Sequence, residues 1–149
     1  MSEPDPVGDE YFDLYWEATS LASSALTDVR DGNDLHSEER YDESISKYED
    51  AEEKYLKSIA NLKRMCELAE GRDDLDCETG LIDEEEKCVV PKLRFAQKLL
   101  GFERDGVFDE RCLELAEDAR IIDQDCAAVV PHYDDYLYPV VLERCQGQD

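Results

Sequence analysis

Apolar residues recur in the first part of the chain with the rhythm of an amphipathic helix. They alternate at spacings of three and four, and Asp9 stands where an N-cap is expected, so the pattern predicts a helix over about 9–30. The next letters, RDGNDLHS, combine Gly, Asn and Asp and predict that the helix stops in a turn. The predicted buried stripe is Phe12, Tyr15, Thr19, Ala22, Leu26 and Val29.

A second and longer helix is predicted over about 37–70. Ser37 reads as its N-cap, no Gly or Pro interrupts it, and Gly71 ends it. Its heptad phase matches that of the first helix across a short turn, which predicts an antiparallel helical hairpin. The apolar seam of this second helix is Tyr41, Ile45, Tyr48, Tyr55, Ile59, Leu62, Cys66 and Ala69.

The regions outside the hairpin show weaker periodicity. Residues 1–8 contain two prolines and a glycine and are expected to form a loose leader, while residues 71–88 form an acidic connector. A helix is expected over about 90–102, with Pro91 in its first turn.

The C-terminal part predicts further short helices. One is capped by Asp109 and runs to about Ile122, and two short pieces follow, separated by Pro131 and Pro139. No stretch alternates as a strand would. The prediction is therefore an all-α helical bundle in a single domain, 1–149, with a long hairpin followed by three or so shorter helices.

The charge of the chain predicts a strongly acidic surface. The chain carries 40 Asp and Glu against 16 Lys and Arg, a formal net charge of -24. Charge of one sign at this density repels itself in dilute salt and is screened in concentrated salt, which favours a halophilic source, archaeal or viral. An alternative is a decoy that imitates nucleic acid and blocks a basic DNA- or RNA-binding protein.

Composition excludes several classes. A hydrophobic fraction of 42% disfavours a disordered acidic protein, and the lack of a Lys/Arg cluster disfavours direct nucleic-acid binding. No apolar run is long enough to span a bilayer, and the start MSEPDPVGDEYF has no signal-peptide pattern. We therefore expect no membrane association and a cytoplasmic location, or a virion if the source is viral.

Six cysteines are the main candidates for chemistry. Two stretches resemble each other, CELAEGRDDLDC and CLELAEDARIIDQDC, and each begins on a predicted helix and closes on Asp-Cys. No cysteine lies in a C-x-x-C pair, so a zinc site is weakly supported, and disulfides or buried thiols are the other interpretations. The cysteines are Cys66, Cys77, Cys88, Cys112, Cys126 and Cys145.

No catalytic signature is visible. His36 lies in the predicted turn, where we expect it to be solvated, and His132 precedes YDDY, but neither stands in a nucleophile motif. We expect no enzyme and no cofactor, with a cysteine and histidine metal-binding protein as a further alternative.

Aromatic residues crowd the start of the first helix. Tyr11, Tyr15 and Trp16 either pack in the core or exceed what one seam can bury and form a partner-binding patch. The sequence thus favours a non-enzymatic protein that acts through protein–protein contacts or self-association, as an interaction or assembly subunit.

Overall fold

Four helices make up most of the part of the chain that the structure describes, namely residues 4–75, 77, 81–105, 111–125 and 141 of a computed structural model. No strand occurs among these residues. The predicted all-α bundle with a long antiparallel first pair is confirmed. The helices are α1 (Pro6–Ser37), α2 (Tyr41–Ala69), α3 (Leu81–Asp105) and α4 (Arg111–Asp125).

The N-terminus of α1 lies earlier than predicted. Asp5, not Asp9, is the N-cap, and its carboxylate accepts a hydrogen bond of 3.0 Å from the backbone N–H of Gly8. Pro6 takes the first helical position, where its missing N–H has no helical partner to lose. Residues 6–8 of the predicted loose leader therefore belong to the helix, while residues 1–3 lie outside the described residues.

The predicted stop within RDGNDLHS is wrong, because α1 continues through Gly32 to Ser37. Gly32 is used for packing rather than for turning: a Cβ there would lie 2.5 Å from the ring of Tyr48. Helix α1 ends instead at Glu38 and Glu39, and Glu39 adopts a positive φ of 63°. Ser37 is not the N-cap of α2, since its Oγ donates to the carbonyl of Asn33 within α1.

Polar side chains of α2 tie the hairpin together through the backbone of α1. Ser44 donates to the carbonyl of Gly32 and Ser58 to that of Ala18, both at 2.8 Å and both buried. Small residues in α1 allow this approach, since Ala18, Ala25 and Gly32 recur every seven positions on the face toward α2. The two helices consequently pack closely enough for side-chain-to-backbone bonds to bridge them.

An ion pair between a half-buried lysine and a buried aspartate adds to the same interface. Lys54 of α2 donates to Asp28 at 2.7 Å and to Ser24 at 2.8 Å, both on α1. Asp28 is buried, and a buried carboxylate needs such partners to offset its desolvation.

The apolar core continues from the hairpin into α3 and α4. Helix α2 packs against both α1 and α3, and α4 packs against α3. The largest fully buried side chains come from all four helices and from Val141: Val29, Tyr48, Tyr55, Leu62, Met65, Val89, Phe95, Leu99, Leu115 and Val141.

The acidic connector is shorter than predicted, because α3 begins at Leu81 and places Pro91 inside the helix. The letters LIDEEEK lack a clear apolar period, but glutamate is a good helix former and is favourable near a helix N-terminus. Gly71, with φ 79°, ends the hairpin as predicted.

Helix α4 starts at Arg111, close to the predicted helix from Asp109 to Ile122, and it ends a few residues later than predicted. Asp109 and the predicted pieces around Pro131 and Pro139, apart from Val141, lie outside the described residues. Among the helices that the structure describes, none is both long and apolar enough to cross a membrane.

Candidate functional site

Two large aromatic side chains of α1 face solvent. Phe12 is 55% exposed and Trp16 is 67% exposed. They lie one helical turn apart on one face, and Trp16 is about 160° around the helix from Ala18, which packs against α2. We call Phe12 and Trp16 the aromatic pair.

Two neighbouring tyrosines contact the rings of the aromatic pair. Tyr11 contacts Phe12 edge to face, with ring centroids 5.1 Å apart, and Tyr15 contacts Trp16 in the same way at 5.4 Å. Tyr11 is buried and Tyr15 is half-buried. Of the predicted patch, Trp16 is exposed, Tyr15 partly so, and Tyr11 belongs to the core.

Phe12 is the member of this surface that sequence reasoning missed. Its predicted place in the buried stripe is wrong, because the inward positions of α1 run through Tyr11, Ala18, Ala25 and Gly32 instead. The inward face could have been recognised from the small residues that recur every seven positions, because close packing of two helices requires small residues on the contact face.

The acids near the aromatic pair fall into two groups. On the side toward α2, Glu10 pairs with Arg64 and Glu17 with Lys57, each at 3.5 Å. On the outer face, Asp9 and Asp13 are exposed and form no ion pair with another described residue. The aromatic pair is therefore bordered by uncompensated negative charge on its solvent side.

The start of α1 is fixed to the end of the hairpin. Arg72 binds the carboxylate of Asp5 through two nitrogens, at 2.9 and 3.1 Å, and also binds Asp74. The Arg72 guanidinium, together with the N–H of Gly8, lowers the pKa of Asp5 to about 2. The N-cap thus stays ionised and paired at all but very acidic pH.

A disulfide pins the segment that carries Arg72. The sulfur atoms of Cys66 and Cys77 are 2.15 Å apart, so the first of the two similar stretches is closed by a bridge. Cys88 and Cys112 are also disulfide-bonded, and none of the described cysteines is a free thiol. Cys126 and Cys145 lie outside the described residues.

No group of three or more potential metal-ligating side chains occurs within the described ranges. The four described cysteines are in disulfides, which removes the thiolates that zinc would need. His132 lies outside the described residues.

His36 is not the solvated turn residue that the sequence predicted. It lies in the last turn of α1, and its Nδ1 donates to the carboxylate of Glu103 on α3 at 2.8 and 2.9 Å. The Glu103 side chain is only 1% exposed, against 18% for His36. The pair links the hairpin to α3, and this structural role accounts for the close contact between the imidazole and the carboxylate.

Two open grooves flank α3 and α4. Their volumes are about 270 and 200 Å³, and the ion pair of Lys98 with Asp118, at 2.5 Å, lies between the two helices. The first is lined by Phe102 and Leu115 and the second by Ile122, and charged side chains of both signs make up about half of each lining. No family model, no curated protein and no solved structure matches this chain.

Proposed function

We propose that this protein is a non-enzymatic protein–protein interaction module that docks through the aromatic pair of α1. The observation that carries the proposal is the exposure of Trp16, 67%, beside Phe12 at 55%. Single exposed apolar residues need no explanation, but adjacent large aromatics form a patch of the kind that partners cover. Trp is also one of the residues enriched among interface hot spots.

The position of the aromatic pair suits recognition. It lies on a helix that side-chain-to-backbone bonds hold against α2, and its base is packed on Tyr11 and Tyr15. A contact residue already fixed in place loses little freedom on binding, so more of its contact energy contributes to affinity.

As part of this proposal, the acidic surface is an adaptation to concentrated salt. Arginine and lysine side chains of the described residues are largely engaged with acids of the same chain, so the excess carboxylates remain exposed to solvent. The engaged cations include Arg40, Lys54, Lys57, Arg64, Arg72, Lys98, Arg104 and Arg120. Circular dichroism between about 0.1 and 3 M KCl tests the salt adaptation, which a fully folded chain in dilute buffer would contradict.

The cellular location remains part of the proposal. Disulfide-bonded Cys66, Cys77, Cys88 and Cys112 favour an oxidising compartment or an outer surface over an ordinary reducing cytoplasm. This weighs against the predicted cytoplasmic location and fits a virion or an exported protein better.

A site-specific cross-linker tests the proposal. A photoreactive phenylalanine analogue replaces Trp16, and in a control it replaces Gln97, an exposed residue of α3. In an extract of the source organism, we expect a discrete protein adduct from position 16, absent from position 97 and lost when Phe12→Ser is added. The purified partner must then bind the parent protein and bind Trp16→Ala at least about tenfold more weakly.

The predicted alternative, a nucleic-acid decoy, gives a different result in the same experiment. A decoy would engage its target through carboxylates, so DNA would compete for the adduct and Phe12→Ser would leave it unchanged. Equal adducts from positions 16 and 97, or none from 16, would contradict docking through the aromatic pair.

A further inference from the structure

The acidic residues around the aromatic pair indicate the charge of the partner that covers it. We infer that the partner presents an apolar surface bordered by lysine or arginine, which covers Phe12 and Trp16 while its cations meet Asp9 and Asp13. This inference rests on the proposed function and specifies the partner of that same surface.

Helix geometry places these acids on the docking face. Asp9 and Asp13 are four residues apart, and each is three residues before an aromatic, Phe12 and Trp16 respectively. Side chains at these spacings are neighbours on one helix face. A partner that covers the two rings therefore also covers or borders both carboxylates.

The difference between paired and unpaired acids is local. Glu10 and Glu17, on the α2 side of the same helix turns, are matched by Arg64 and Lys57. Asp9 and Asp13 have no such match among the described residues. Asp9 also stabilises the N-terminus of α1 as a first-turn acid, but Asp13 lies beyond that turn.

Docking removes water from these carboxylates. A neutral or acidic partner would leave them desolvated without a counter-charge, which is unfavourable, whereas a cationic rim would replace the lost hydration. The same charges raise the association rate with a basic partner and reject acidic ones, including a second copy of this chain with its net charge of -24.

Defined peptides test the inference directly. The probes are three helical peptides of about 18 residues, or five turns, with the same leucine stripe and flanks of Lys, Gln or Glu. Binding of each fluorescein-labelled peptide to the folded, oxidised protein is measured by anisotropy. We expect the Lys peptide to bind up to about tenfold more tightly than the Gln peptide at the lowest salt concentration at which circular dichroism shows the protein folded, with the ratio falling toward one as more KCl is added.

Two matched double variants distinguish the effect of the acids beside the aromatic pair from the effect of total charge. D9N/D13N removes those two acids, whereas D31N/D34N removes two other exposed acids of α1 and changes the net charge equally. The first should lose most of the preference for Lys over Gln, and the second should keep it. An equal loss in both variants would overturn the inference, because the preference would then reflect total charge.

Other outcomes are equally decisive. If Lys and Gln peptides bind alike and both depend on Trp16, the basic rim is wrong while docking through the aromatic pair stands. Failure of the Lys peptide to bind, or Glu-peptide binding as tight, overturns the inference without touching the cross-linking result. A dimer in sedimentation that Trp16→Ala dissolves would identify a second copy as the occupant instead.

Discussion

The hairpin of α1 and α2 and the pair of α3 and α4 are held together by different means. In the hairpin, small residues let the helices approach, and buried Ser44 and Ser58 donate to carbonyls of the facing helix. The second pair is packed with large side chains such as Leu99 and Leu115, and open grooves flank it.

This difference bears on where a binding surface is placed. A contact surface is more precise when the element beneath it has one packing arrangement, and bonds from Ser58 and Lys54 to α1 define that arrangement. The hairpin is thus the more rigid platform, and the aromatic pair lies on it. Substitutions that distinguish close from loose packing test this comparison.

The largest expected effect is at Gly32. A Cβ at this position would lie 2.5 Å from the buried ring of Tyr48, so Gly32→Val should lower the free energy of unfolding by about 3 kcal/mol or more. Gly101→Ala in α3 is the control, since nothing lies within 4 Å of a Cβ there, and it should stabilise by about 0.5–1 kcal/mol. Chemical denaturation measures both, and a neutral Gly32→Val would refute the close approach.

A smaller loss is expected where the hairpin meets α3. His36→Ala removes the imidazole that donates to buried Glu103 and should cost about 2–3 kcal/mol. His36→Asn retains a donor near the position of Nδ1 and should recover part of this loss. Equal stability of both variants in thermal unfolding would show that the hydrogen bond contributes little.

The N-cap of α1 gives a prediction with a pH dependence. The pKa of Asp5 in the folded protein, about 2, lies below its ordinary value of 3.8, so its stabilising effect is present above about pH 4 and is lost as the pH falls toward 2. Asp5→Ala should be less stable than the parent at pH 6, with the gap closing at pH 2. Asp31→Ala, at an exposed position with no described ion pair, should change stability little at either pH.

The smallest effect is expected at two buried hydroxyls of α2. The Tyr55 hydroxyl makes no hydrogen bond within the described part of the chain, so Tyr55→Phe should stay within about 0.5 kcal/mol of the parent or stabilise slightly. Ser58→Ala, which removes the bond to Ala18, should lose about 0.5–1 kcal/mol despite the better helix propensity of Ala. A larger loss in Tyr55→Phe than in Ser58→Ala would reverse the expected order.

The sequence was sufficient for the helical class and for the antiparallel hairpin, because uninterrupted apolar periodicity up to Gly71 leaves few other structures. It was insufficient at the end of α1, where Gly32 and Asn33 resemble a turn. Local propensity was overridden there by a contact distant in sequence, the ring of Tyr48 against Gly32. The start of α3 was missed because its first turns lack an apolar period.

The candidate site was only partly predictable for a related reason. Tyr11 and Phe12 are adjacent, and apolar periodicity alone allows either one to face inward. The choice is set by the small residues Ala18, Ala25 and Gly32, which fix the inward face and turn Phe12 outward together with Trp16. Asp9 and Asp13 differ from the other acids nearby because no cation of α2 pairs with them. This difference depends on tertiary structure and is not visible in the sequence.

Trp16 is the single tryptophan of the chain, and this gives the protein a convenient optical property. Since the indole is already 67% exposed when the protein is folded, its emission should lie near that of free tryptophan and change little on unfolding. The same emission should shift to shorter wavelength when a partner covers it. Intrinsic fluorescence of this protein is therefore a reporter of docking and a poor reporter of folding, for which the tyrosine-rich core is the better signal.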